Sequence, residues 1–135
     1  MSTDTVVNID DIFVMYVAGR AGISIEEQAP EAFKKLEAKL SSLRGKKFYG
    51  VEIGDEYRAC VAIESNVDTS SLPHPTWTIP GGNYVRRKIQ NWEDNLKLIG
   101  PIFEELCQRN DFDTSRPCIE YYRSQKELLL MVPVQ

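Results

Sequence analysis

Apolar and polar positions along this 135-residue chain fall into short runs, most alternating with the two-residue period of strands and two repeating at helical spacing. Residues 11–18 (DIFVMYVA) are dense in β-branched and aromatic side chains and end at Gly19, which predicts a strand. After the polar loop GRAGIS, residues 30–43 carry Phe33, Leu36, Leu40 and Leu43 in one stripe. Pro30, suited to a first helical position, opens that predicted helix, and Gly45 is expected to stop it. Residues 46–53 and 56–64 read as strands joined by a tight turn at Gly54-Asp55. Residues 65–75 (SNVDTSSLPHP) are the most loop-like stretch and predict a connector. Residues 76–89 predict a strand kinked at Pro80-Gly81-Gly82. A second proline-opened helix is expected over 101–110, and a closing hairpin over 117–134 turns at Ser124-Gln125-Lys126.

The order strand–helix–strand–strand therefore occurs twice. A shift of 70 residues lays Phe33 on Phe103, Leu36 on Leu106, residues 47–53 on 117–123 and residues 56–64 on 126–134. The expected architecture is α+β in one domain over 1–135. Its first repeat spans about 10–64, its connector 65–75 and its second repeat about 76–134. Each unit should bury one sheet face under its helix, and the cleft where two such units meet is a favoured place for a ligand.

Charge and composition narrow the function classes. Sixteen basic against 20 acidic residues give a net charge of −4, which argues against direct nucleic-acid binding. No apolar run approaches the ~18 residues of a membrane span, and the N-terminus MSTDTVVNIDD lacks the basic start and apolar stretch of a signal peptide. A cytoplasmic protein is expected. Cys60, Cys107 and Cys118 have no metal-like spacing and read as reduced thiols. The single histidine, His74, sits between two prolines, so a zinc site or histidine-based triad is not expected, nor is any cofactor. The basic runs Lys46-Lys47 and Arg86-Arg87-Lys88 read as solvated strand ends, and Gly81-Gly82 as a kink rather than a phosphate cradle.

What remains is one odd carboxylate. Alternation puts Cys118, Glu120 and Tyr122 on one side of an otherwise apolar and aromatic strand. Glu120 is either part of a half-solvated face or a counter-charge at the bottom of a pocket. In an apolar pocket, burial would raise its pKa and a bound cation would reverse that shift. Gly50 overlays Glu120, so the first half offers no matching carboxylate and the pocket should be electrostatically lopsided. Trp92, Trp77, Tyr16 and Phe48 are the candidate aromatic walls; alternation alone leaves the facing of Tyr16, Phe48, Tyr57 and Tyr84 open, and the overlay puts Phe48 on the face of Gly50. Trp92 could equally pack with Leu96 and Ile99.

The series FYGVEI, Ile79-Pro80-Gly81-Gly82 with Tyr84, and Glu120-x-Tyr122, set in paired halves, resembles the GyrI-like (gyrase-inhibitor-like) small-molecule-binding domain. Relatives of that domain form the effector-binding parts of multidrug-responsive AraC-type and MerR-type regulators. The resemblance runs from about residue 11 to residue 134 and leaves no room for a helix-turn-helix domain. It implies a curved antiparallel sheet with a central groove, aromatic residues around a glutamate, and amphipathic, often cationic ligands. On the matching positions, that glutamate is Glu120 and its tyrosine Tyr122. It also implies two alternatives: a hydrolase of reactive cyclopropane-bearing toxins with Glu120 as general base, or a protein partner of DNA gyrase. Ligand identity, oligomeric state and the choice between binding and hydrolysis are not legible in the residues.

Overall fold

The computed structural model describes residues 4–64 and 66–135; residues 1–3, which open the N-terminal stretch, and Ser65, which opens the connector, lie outside them. Along the chain come β1 (Thr5–Ile9), β2 (Ile12–Ala18), α1 (Ile25–Ala38), β3 (Phe48–Ile53) and β4 (Glu56–Ala62). The second half follows as β5 (Thr76–Ile79), β6 (Gly82–Gln90), α2 (Ile99–Cys107), β7 (Cys118–Tyr122) and β8 (Glu127–Pro133). The strands make one antiparallel sheet in the order β1-β6-β8-β7-β3-β4-β2-β5. This is the expected α+β architecture of two strand–helix–strand–strand repeats on a curved sheet.

The repeats meet at β3 and β7, where Gly50 lies opposite Glu120. Turning one half onto the other about that pair carries β2 onto β6 and β3 onto β7 with the 70-residue shift read from the sequence. The last strands differ by one residue, because Gly50 faces Ala59 whereas Glu120 faces Leu130. The longer turn between β7 and β8 absorbs the extra residue.

The outer strands explain the curvature. Ile9 lies opposite Gly82 and Ile12 opposite Ile79, so β1–β2 and β5–β6 pair in a single register that runs through both junctions. The two ends of the sheet therefore meet where residues 10–11 cross residues 80–81. Gly81 is required there: a Cβ would strike the Ile9 carbonyl oxygen and the backbone of Asp10 and Asp11, and its N–H donates to Asp11 Oδ1 at 2.7 Å. Gly82 takes φ +130°, a conformation that favours glycine. The curled-in face buries Val14, Ile79 and Tyr84 from the ends against Tyr49, Val51 and Ile119 from the middle. The other face carries the helices, with Leu36 of α1 and Leu106 of α2 fully buried at matching positions.

Four local expectations are corrected. Helix α1 starts at Ile25, because Ser24 caps it by accepting from the Glu27 N–H at 3.2 Å, and Glu26 and Glu27 sit in the favourable first turn. Pro30 lies inside the helix rather than opening it. The helix ends at Ala38, so Leu43 falls outside it, 47% exposed, and Gly45 is not its stop. Helix α2 covers Ile99–Cys107, starting two residues and ending three residues earlier than expected, so Pro101 lies inside it rather than opening it, and β1 is a strand that the pattern of the N-terminal stretch did not announce.

Candidate functional site

On the helix-bearing face, one row crosses the four middle strands: Ala59, Gly50, Glu120 and Leu130. Ala59 and Gly50 are small, and the space beside the carboxylate is taken by Tyr57, two residues before Ala59 on the same face. Tyr57 Oη donates to Glu120 Oε1 at 2.6 Å, and Tyr122 Oη donates to the same oxygen at 2.8 Å. Gly50 makes this convergence possible, since a Cβ there would collide with both Tyr57 Oη and Glu120 Oε1. Glu120 is only 6% exposed. Its Oε2 accepts no hydrogen bond, and no lysine or arginine pairs with it, among the described residues.

Aromatic rings enclose this carboxylate. Phe33, on the inward stripe of α1, meets Tyr122 edge-on at 5.3 Å and Tyr57 at 6.1 Å between ring centroids. Phe48 lies 6.5 Å from Phe33 on the same side. Trp92 approaches Tyr122 from the second half, 5.0 Å away and near perpendicular. It sits on a short 3-10 turn (Trp92–Asp94) that follows Asn91, whose φ is +51°. Its indole N–H donates to the Ser124 carbonyl at 3.0 Å. Phe33 and Trp92 thus come from opposite halves and close over the same tyrosine.

Burial dominates the electrostatics. It pushes the Glu120 carboxyl above its ordinary value, and the two tyrosine hydrogen bonds only partly oppose it. Burial and the neighbouring carboxylate together drive the Tyr57 and Tyr122 phenols well above theirs, so both remain donors. Glu52, two residues from Gly50 on the same face, is also raised by burial. Such a site can stabilise a cation brought to Glu120, or hold a proton there until one arrives. No group of histidine, cysteine, aspartate and glutamate residues suited to a metal occurs among the described residues. Cys107 and Cys118 lie 3.9 Å apart as free thiols, and Cys60 is buried, its thiol pushed up to about 12.

Of the six residues singled out in the sequence, the structure brings Glu120, Tyr122, Trp92 and Phe48 together. Trp92 and Ile99 also pack against one buried cluster of Ile89, Leu128 and Leu130, whereas Leu96, expected in the same stripe, is 56% exposed. Tyr16 and Trp77 are on the opposite face, 6.3 Å apart, with the Arg58 guanidinium 4.4 and 4.7 Å from their rings. Alternation along β2 and β5 sends them there: Tyr16 pairs with Cys60 and Trp77 with Val14, both of the curled-in core. Phe33 showed in the sequence only as a helix-stripe residue, and alternation alone left the facing of Tyr57 open. Tyr57 had a signal, because a two-residue Gly54-Asp55 turn pairs Ile53 with Glu56 and so places Tyr57 opposite Glu52, on the face of Gly50.

The chain matches no protein-family model and no curated protein. Solved structures do resemble it. An integron cassette protein from the mobile metagenome of Vibrio cholerae aligns with a TM-score of 0.70 and 13% identity, over 98% of this chain and 95% of its own. SAV2435, solved bound to tetraphenylphosphonium, aligns at 0.64 and 13%, over 99% and 94%. A hydrolase from Listeria innocua aligns at 0.54 and 12%, over 98% and 91%. At these identities the likeness concerns the fold, and it covers nearly the full length of each partner: the chain has the curved-sheet, two-helix fold of this group of small proteins.

Proposed function

We propose that this protein binds hydrophobic, cationic small molecules of the kind taken by GyrI-like domains, in the groove between its two halves, with Glu120 as counter-charge. The observation that carries this reading is Glu120 itself: a buried carboxylate, held on one oxygen by two tyrosine hydroxyls, ringed by aromatics and without a cationic partner among the described residues. An unpaired charge in such a place costs several kcal/mol, which a bound cation would offset. Ring faces would add cation–π attraction of roughly 0.5–2 kcal/mol each. Tyr122, Trp92, Phe48, Tyr57 and Phe33 are the contacting residues in this reading; Tyr16 and Trp77 are not. The binding of tetraphenylphosphonium by SAV2435, a protein of like fold, supports the ligand class.

Calorimetric titration with tetraphenylphosphonium and with neutral triphenylphosphine oxide tests it. The cation should bind the wild type more tightly than the neutral compound, and Glu120→Gln should weaken the cation at least tenfold, about 1.4 kcal/mol, while sparing the neutral ligand. Equal binding of both compounds, or an unchanged affinity in Glu120→Gln, would contradict it. The upward shift at Glu120 also suits the general-base alternative, which needs a carboxylate titrating nearer to neutrality. Loss of the strained ring from a cyclopropane-bearing substrate, abolished in Glu120→Gln, would favour that reading.

A further inference from the structure

The face turned away from the helices holds a cavity of about 650 Å³ that shares no lining residue with the Glu120 site. Its volume lies in the range typical of small-molecule sites. On its floor, Tyr49 and Tyr121 stack with centroids 4.8 Å apart and rings 17° from parallel. They face each other across the β3–β7 ladder, one step from Gly50 and Glu120, so alternation turns them to the opposite side. Buried Leu129 and Met131 continue the apolar surface.

Charge decides what such a floor takes, because an aromatic face alone accepts cations and flat neutral rings equally. Lys47 and Arg86 line this cavity, and neither forms an ion pair among the described residues. Arg123 also lines it, held loosely 3.8 Å from Glu127. The acidic residues at the cavity are Asp10 and Asp11, and the Asp11 carboxylate already accepts the Gly81 N–H. The two cations come from runs that looked like solvated strand ends, and the fold separates each from its neighbours: Arg87 turns to the helix side and binds Asp4 and Glu105. Arg86 turns inward, toward the cleft.

We propose that this cavity is a second ligand site, for a flat aromatic anion such as an aryl carboxylate, its ring against the Tyr49–Tyr121 stack and its charge met by Lys47 and Arg86. The protein then carries two sites of opposite charge preference on the two faces of one sheet. Titration with 2-naphthoate, followed by calorimetry and by backbone amide NMR, tests the assignment. Binding should shift the amides of Tyr121 and Leu129. It should weaken at least tenfold in the double variant Lys47→Ala/Arg86→Ala, stay unchanged in Glu120→Gln, and persist with tetraphenylphosphonium present. Lys47 is exposed and Arg86 partly so, and the variant should therefore keep the wild-type melting temperature. The proposal is overturned if 2-naphthoate does not bind, if 2-naphthyltrimethylammonium binds as tightly at the same amides, or if the double variant binds 2-naphthoate like the wild type.

Discussion

Glu120 is costly to bury and Gly50 is what makes its setting possible. In the native state the carboxyl is pushed up by burial, so it binds its proton more tightly than in the unfolded chain. Stability from this group is therefore fullest below the ordinary carboxylate value of 4.5 and falls as pH rises toward the native value. Gly50→Ala tests the geometry: its methyl would displace Tyr57 from Glu120, and overpacking of this kind costs about 1–3 kcal/mol. Urea unfolding should show that loss, and the cation affinity should fall with it; a fully stable variant with wild-type affinity would mean the close approach at Gly50 is not needed. The carboxylate was legible in the sequence because it interrupts an apolar, aromatic strand. The facing of its partner Tyr57 was open, since nothing within EYRACVAIE fixes it until the strand is set in register beside Gly50.

At the level of elements, alternation and proline placement read the strands better than the helices. The β3–β4 and β7–β8 hairpins lie where turn chemistry put them, and the kink at Pro80-Gly81-Gly82 is the crossing of two long strands. Helix α1 starts earlier than Pro30 suggests, because Ser24 and Glu27 form a start signal whose cap lies six residues upstream of that proline. Strand β1 escaped notice for a different reason: Val6 is 54% exposed and β1 has one paired neighbour, β6, so it bears only a weak apolar stripe. Ser24→Ala should cost about 1 kcal/mol by removing the cap, visible as a lower urea midpoint with an unchanged slope. No change would mean the Ser24 contact is not what starts the helix. Because α1 carries Phe33 into the aromatic ring, the same variant should weaken cation binding only slightly while the fold persists.

Across the whole molecule, the overlay of two repeats was recoverable to the residue for the strands that build the centre, and it slipped by one only at β8, beyond a turn whose length the overlay ignored. That overlay placed Gly50 on Glu120, and in the folded chain the two face each other where the halves join. A nearly symmetric frame thus holds one asymmetric charge at its middle, so the proposed function calls for a single cation site rather than two. Which aromatics surround it depends on helix placement and on strand register, and both are set by contacts distant in sequence; Tyr16 and Trp77 face the opposite core because their register with β4 and β2 pairs them with Cys60 and Val14. The most direct test of the counter-charge is the affinity for tetraphenylphosphonium measured as pH is raised from the ordinary carboxylate value of 4.5 until it levels off. Binding should tighten as pH rises through the Glu120 titration and release a proton over that range, and it should be flat with pH in Glu120→Gln. A wild-type affinity that does not vary with pH and equals that of Glu120→Gln would show that the buried carboxylate is not what receives the cation.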